Sequence, residues 1–310
     1  MRIVRARYAG ACYGVERALA LVDQAVAAQT PLGTSALTAS PTAPPLGTSA
    51  LTASPTAAPT DSATPVHTLG PLIHNPQVVA ELRERGVVEA ATVAEVDAGV
   101  LVLRSHGVAP QIVEAACEKG LAVVDATCPH VSKAQQAAQE LRVEGYTVIV
   151  VGERGHPEVE AISAYAGRGA LVVQEPSDLP KNLPSQRIGV VVQTTQSAAA
   201  LEAIVCALEG RGVAPQVRNT ICFATRQRQE AAIKLSGEVD AVLVVGGRNS
   251  GNTTRLAELC QEVCPRTYHI ESPAEIEAVW FTGVRVVGVT AGASTPESQI
   301  LAVEEALGQL

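Results

Sequence analysis

The sequence predicts an α/β protein with mainly parallel sheets, and three observations predict it. Apolar runs rich in Val and Ile alternate with amphipathic stretches along nearly the whole chain. Polar clusters fall directly after the apolar runs. Only 17% of residues are charged and 3% aromatic, so Ala, Val and Leu must pack the interior. At 310 residues the chain is long enough for two or three compact units.

Taken in order, residues 1–7 (MRIVRAR) read as a strand and 15–28 carry helical spacing. His74-Asn75-Pro76 opens another helix, because Asn caps well and Pro suits a first helical position. Buried strands are expected at 99–105, 121–125, 146–152, 187–192, 239–246 and 285–290, with a shorter one at 171–174. Helices are expected at 130–143, 198–209, 252–263 and 297–307. Strands alternating with helices need crossover connections, and these make neighbouring strands parallel.

One segment departs from this plan. Residues 31–44 (PLGTSALTASPTAP) are followed at 45–58 by the same 14 residues with only the last changed. Pro, Ser and Thr abound there and charge is absent, so a disordered surface loop is expected from about 30 to 64.

Charge and cysteine content exclude several classes of function. Lys and Arg number 23 against 31 Asp and Glu, a net charge of −8 without a basic block, which argues against nucleic acid and against an anionic membrane as partners. No apolar stretch reaches the roughly 18 residues of a membrane span, so a cytoplasmic protein is expected. Seven cysteines, an odd number with no CxxC pair, suit thiols in a reducing compartment better than a disulfide framework.

Ligands of parallel α/β sheets bind beyond the carboxyl ends of the strands. There the sequence places Ser105-His106-Gly107, Ala126-Thr127-Cys128-Pro129, Gly155-His156-Pro157-Glu158, Gln193-Thr194-Thr195, Asn249-Ser250-Gly251-Asn252 and Ala291-Gly292-Ala293-Ser294. The 249–252 segment, between a buried strand and a helix, offers free amides and hydroxyls that suit a phosphate. His74, His106 and His156 sit in loops, where imidazoles hydrogen-bond phosphate oxygens or move protons, and Glu158 would donate a proton if buried. His67, His130 and His269 lack such surroundings. Cys12, Cys128 and Cys222 each end a short expected strand (9–12, 125–128, 219–222) and precede a helix. Three similar units would bring these thiols to one centre, where three thiolates hold an iron-sulfur cluster with one iron open. Cys260 and Cys264, four apart on a helix, suit core packing better than zinc.

Together these residues resemble the LytB-type enzymes, the 4-hydroxy-3-methylbut-2-enyl diphosphate reductases that end the non-mevalonate isoprenoid pathway. The resemblance spans nearly the whole chain and rests on segments 10–18 (GACYGVERA), 73–75, 105–108, 125–129, 155–160, 193–195, 221–225, 249–252 and 289–294. It implies three pseudo-symmetric α/β units in a trefoil around a central 4Fe-4S cluster held by Cys12, Cys128 and Cys222, its apical iron open. The units it implies are 14–128, 129–218, and 1–13 with 219–293, followed by a C-terminal helix at 294–310. It also implies two-electron reductive dehydroxylation giving isopentenyl and dimethylallyl diphosphates, with ferredoxin or flavodoxin as electron donor. His74, His106, His156, Ser250, Gly251, Asn252 and Ser294 match positions that hold the diphosphate. Glu158, with Thr194 or Thr195, matches the proton-delivering and hydroxyl-orienting region.

Two departures accompany the resemblance: the duplicated insertion, and Asn219 where Asp is usual, a change that bears on local hydrogen bonding or cluster potential. Gly251, a familiar variant, leaves one hydroxyl fewer for the phosphate. A zinc-dependent hydrolase with Glu158 as base and a non-enzymatic iron-sulfur sensor are the rival readings.

Overall fold

The computed structural model describes residues 1–28 and 65–310, and the expected loop at 30–64 lies outside them. The chain runs β1 (Arg2–Arg5), α1 (Tyr13–Ala27), β2 (Val66–Leu69), α2 (Pro76–Glu84), β3 (Val87–Ala90), β4 (Val100–Leu103), α3 (Pro110–Glu118) and β5 (Ala122–Asp125). It continues through α4 (Pro129–Val143), β6 (Thr147–Val151), α5 (Pro157–Ala166), β7 (Leu171–Val173), β8 (Ile188–Val192), α6 (Ala198–Glu209) and β9 (Gln216–Arg218). The last stretch holds α7 (Phe223–Ser236), β10 (Ala241–Val245), α8 (Gly251–Val263), β11 (Thr267–Ile270), β12 (Val286–Ala291) and α9 (Glu297–Gly308).

The strands form three four-stranded sheets, ordered β5-β4-β2-β3, β9-β8-β6-β7 and β1-β12-β10-β11, and every pairing is parallel. The expected α/β class with parallel sheets therefore holds, and the three strand orders are the same. Within each, the first strand in sequence lies between the second and third, and the fourth lies at the edge. The third sheet obeys this only because its fourth strand comes from the amino terminus: Arg2 to Arg5 of β1 pair with Val286 to Val289 of β12.

Both faces of each sheet are covered, as continuous apolar strands such as Ile188–Val192 require. Val15, Ala18, Val22 and Ala25 of α1 join Val78 and Leu82 of α2 on one face of the first sheet, and Ala116 of α3 packs on the other. Leu141 of α4 with Val159 and Ile162 of α5, and Ile204 with Leu208 of α6, repeat the arrangement on the second. Ala232 of α7 with Leu256 and Cys260 of α8, and Ile300 with Val303 of α9, repeat it on the third. Cys260 and Cys264 are buried core side chains, as expected.

The strands expected to end at the three cysteines are absent. Residues 9–12, 126–128 and 219–222 are loop, and strand pairing stops at Arg5, Asp125 and Arg218. In two of the loops a side chain replaces a ladder partner: Asp125 Oδ1 accepts from Thr127 N at 2.8 Å, and Asn219 Oδ1 accepts from Ile221 N at 3.1 Å.

Candidate active site

Each of the three loops delivers a cysteine to the amino end of a helix. Cys12, Cys128 and Cys222 are the N-cap residues of α1, α4 and α7, all with extended backbone. Each N–H is fixed by the loop after the neighbouring strand: Cys12 donates to Ala293 O at 3.0 Å, Cys128 to Ser105 O at 2.9 Å and Cys222 to Thr194 O at 3.0 Å. Backbone hydrogen bonds thus place one thiol from each sheet on the wall of one cavity of about 680 Å³.

The same cavity takes in His74, His106, His156, Glu158, Thr194, Thr195, Ser250, Gly251, Asn252 and Ser294, the residues the resemblance matched to substrate and proton roles. The ring centroids of His74, His106 and His156 lie 4.2 to 5.5 Å apart. His74 Nε2 and His106 Nδ1 are buried without a partner, as is Asn252 Nδ2. Such groups are costly to bury unless a ligand meets them. Burial holds all three imidazoles below the ordinary histidine range, His156 at about 4 and His106 well below it, where its two neighbours and Arg104 add to burial. At neutral pH the trio is uncharged and offers ring N–H donors.

Glu158 is 2% exposed, in the first turn of α5. His156 caps that turn by accepting the Glu158 N–H at Nδ1, 3.1 Å away. The carboxyl group meets Thr194: Thr194 N donates to Oε1 at 2.6 Å and Thr194 Oγ1 donates to Oε2 at 3.0 Å. Burial outweighs these bonds and pushes the carboxyl up to about 7. The structure also separates the two threonines. Thr194 pairs with Glu158, while Thr195 Oγ1 accepts from Gln193 Nε2 at 3.0 Å.

At the far wall Ser250 caps α8, its Oγ accepting from Thr253 N at 3.4 Å. A Cβ on Gly251 would lie 2.7 Å from Glu153 Oε1, so a neighbouring carboxylate fills the space a serine would need. Ser294 Oγ donates to His74 O at 2.9 Å, and Asn75 Nδ2 donates to Ser294 O at 2.9 Å. These bonds join the third sheet's loop to the histidine loop of the first.

Several lining residues escaped the sequence reading. His130, read as lacking phosphate-like surroundings, borders the cavity because it follows the Cys128 cap by two residues. Thr225 holds Cys222, its N–H donating to Sγ at 3.2 Å with Oγ1 3.0 Å from the same sulfur. Arg228, 4% exposed, lies beside the thiols. In all three cases no local pattern marks the helix face turned inward.

The cysteines fit a thiolate-bound metal group. All seven cysteines are free, and a Cβ on Gly14 would lie 2.6 Å from Cys128 Sγ and 3.8 Å from Cys12 Sγ, so only glycine keeps that corner open. Burial pushes the Cys128 and Cys222 thiols up, which disfavours free thiolates, whereas three helix amino termini favour thiolates once a soft cation neutralises them. The histidine nitrogens, within 4.8 Å of one another, form a second candidate metal group.

The LytB protein family model matches residues 48–308 of the chain. The 4-hydroxy-3-methylbut-2-enyl diphosphate reductase of Citrifermentans bemidjiense is 44% identical over 298 residues, 96% of this chain and 93% of the relative. A solved structure of (E)-4-hydroxy-3-methyl-but-2-enyl diphosphate reductase, the terminal enzyme of the non-mevalonate pathway, is 36% identical over 100% of both chains with a TM-score of 0.66. The corresponding reductase from Plasmodium falciparum has a TM-score of 0.83 over 100% of this chain and 87% of its own, at 24% identity, a likeness of fold alone.

Proposed function

The chain belongs to the LytB protein family, and we propose that it converts 4-hydroxy-3-methylbut-2-enyl diphosphate to isopentenyl and dimethylallyl diphosphates as the last step of the non-mevalonate pathway. The observation that carries this reading is the convergence of Cys12, Cys128 and Cys222 on the cavity that also holds Glu158 and the three histidines. With unit boundaries at 14–128, 129–218, and 1–13 with 219–293, and the C-terminal helix at 294–310, the three thiols lie where the units meet.

Cys12, Cys128 and Cys222 would hold a 4Fe-4S cluster, leaving one iron without a protein ligand. When bound, that group supplies one-electron transfer and Lewis acidity on a poor leaving group. His74, His106, His156, Ser250 and Asn252 present neutral donors that hold the diphosphate, with the backbone at Gly251 and the Ser294 hydroxyl beside them. Neutral donors let a net −8 chain take an anionic substrate. Glu158, protonated in part at neutral pH, donates to the departing hydroxyl, and Thr194 fixes the carboxyl in position while Thr195 flanks it. The balance is one C–O bond broken and two electrons and two protons taken up, one proton leaving in water with the hydroxyl oxygen and the other added at either end of the allyl fragment. The electrons come from a small carrier protein of the ferredoxin or flavodoxin class. No helix among the described residues is long and apolar enough to cross a membrane, in keeping with a cytoplasmic site of action.

Anaerobic purification with iron and sulfide analysis, then turnover of the diphosphate alcohol with reduced methyl viologen, tests the proposal. Iron, sulfide and both C5 diphosphates are expected. The histidine group favours one alternative, a zinc hydrolase; colourless protein with zinc and no sulfide would replace the reductase by that reading.

A further inference from the structure

The mechanism leaves one buried charge unused. Arg228, on α7, is 4% exposed and borders the cavity. Its two terminal nitrogens are committed to backbone: Nη1 donates to Ala224 O at 3.2 Å, and Nη2 donates to Gly10 O at 2.7 Å. Nε is buried and has no partner. Among the described residues no carboxylate pairs with this guanidinium, although nine other ion pairs form. The ionisable groups that act on it are the thiols of Cys12 and Cys222. Arg226, two residues before it on the same helix, turns away to stack on the exposed Phe223 ring 5.5 Å off.

A buried cation without a counter-ion is strongly disfavoured, and arginine cannot escape by losing its proton. Its position therefore calls for negative charge in the cavity, and the groups there that act on it are the thiols of Cys12 and Cys222. We infer that Arg228 is the built-in counter-charge of the three-cysteine site and that it raises the reduction potential of whatever thiolate-bound group the site holds. A fixed positive charge stabilises the more negative, reduced state over the oxidised one. The bond to Gly10 O also ties the loop before Cys12 to the helix that Cys222 caps, so charge and position are set by one side chain. This inference rests on the redox reading of the site.

The test compares wild type, Arg228→Met and Arg228→Lys, each reconstituted with iron and sulfide, by iron content and by voltammetric midpoint potential. Arg228→Met is expected to keep the group and shift the reduction equilibrium at least tenfold toward the oxidised form, 59 mV for one electron. Arg228→Lys, which keeps the charge, is expected to shift less than half as far. If Met loses the group and Lys retains it, the charge is required and the inference stands. Unchanged potential in Arg228→Met overturns it, as do equal shifts or equal loss of iron in the two variants, because then only the fork to Gly10 matters. Wild type that binds neither iron nor sulfide overturns the redox reading and the inference together, whereas an unshifted Arg228→Met in iron-loaded protein overturns the inference alone.

Discussion

The cysteine end and the histidine end of the cavity are built on opposite principles. At the cysteine end three equivalent corners repeat: an edge strand stops, a loop follows, and a cysteine caps a helix while its N–H binds the loop after the adjacent strand. At the histidine end the repetition is broken. His74 and His106 follow strands of one sheet and His156 a strand of the second, while Ser250 and Asn252 follow a strand of the third. Equal ligands for a symmetric group come from repeated backbone geometry. Donors for an asymmetric substrate come from giving the same topological places different side chains.

The comparison breaks most severely at a thiol. Cys128→Ala is expected to abolish iron binding and bring turnover below detection, because the proposed group loses one of its three thiolates; metal analysis and product assay check it. Glu158→Gln is expected to lower turnover by about 10²- to 10⁴-fold with iron content unchanged. Its pH profile sharpens the point. The carboxyl, raised to about 7, is protonated below that pH and loses its proton above it, so wild-type turnover should fall as pH rises through 7 and the Gln variant should not show this limb. Stability follows the same sign. Between the ordinary glutamate value and about 7 the folded state keeps a proton the unfolded chain has released, so wild type should lose stability across that window and Glu158→Gln should lose less, as thermal denaturation at several pH values would show.

A smaller effect is expected at the histidine end, where donors are several. His106→Ala should raise KM for the diphosphate about ten- to a hundredfold, the worth of one hydrogen bond to a charged group, with a lesser change in kcat. Steady-state kinetics at saturating reductant would separate the two. Smallest is Asn219→Asp, for which iron content and turnover are expected to stay within about twofold. Either side chain offers the same oxygen to Ile221 N, just as Asp125 does to Thr127 N in the preceding unit. A large change there would show that the corners differ in charge as well as in shape.

The strongest parts of the fold were legible because buried strands such as Thr147–Val151 and Ala241–Val245 are continuous apolar runs. The short edge strands Val87–Ala90, Gln216–Arg218 and Thr267–Ile270 were not, since each borrows its regularity from a parallel neighbour. α7 hid its orientation, because its inner face mixes Ala232 and Leu235 with Thr225, Arg228, Gln229 and Ser236 and so carries no continuous apolar stripe. The candidate site was legible where polar residues sit in the loop after a strand, as at His106 and Thr194. It was not where a residue reaches the cavity from inside a helix, as Arg228 does.

The borrowed edge strand fixes an order of events during synthesis. β1 and Cys12 precede the other elements of the site in the chain, yet β1 finds its neighbour only when residues 286–289 have been made. At roughly 5–20 residues per second that wait is on the order of 15 to 60 seconds, long enough for the first two sheets to form and bury their own faces. Cys12 packs with α1 against the first sheet, but the carbonyl that fixes its N–H, Ala293 O, belongs to the third. The Cys12 corner therefore closes only after residues 286–293 exist, whereas the Cys128 corner binds Ser105 O, which precedes it in the chain.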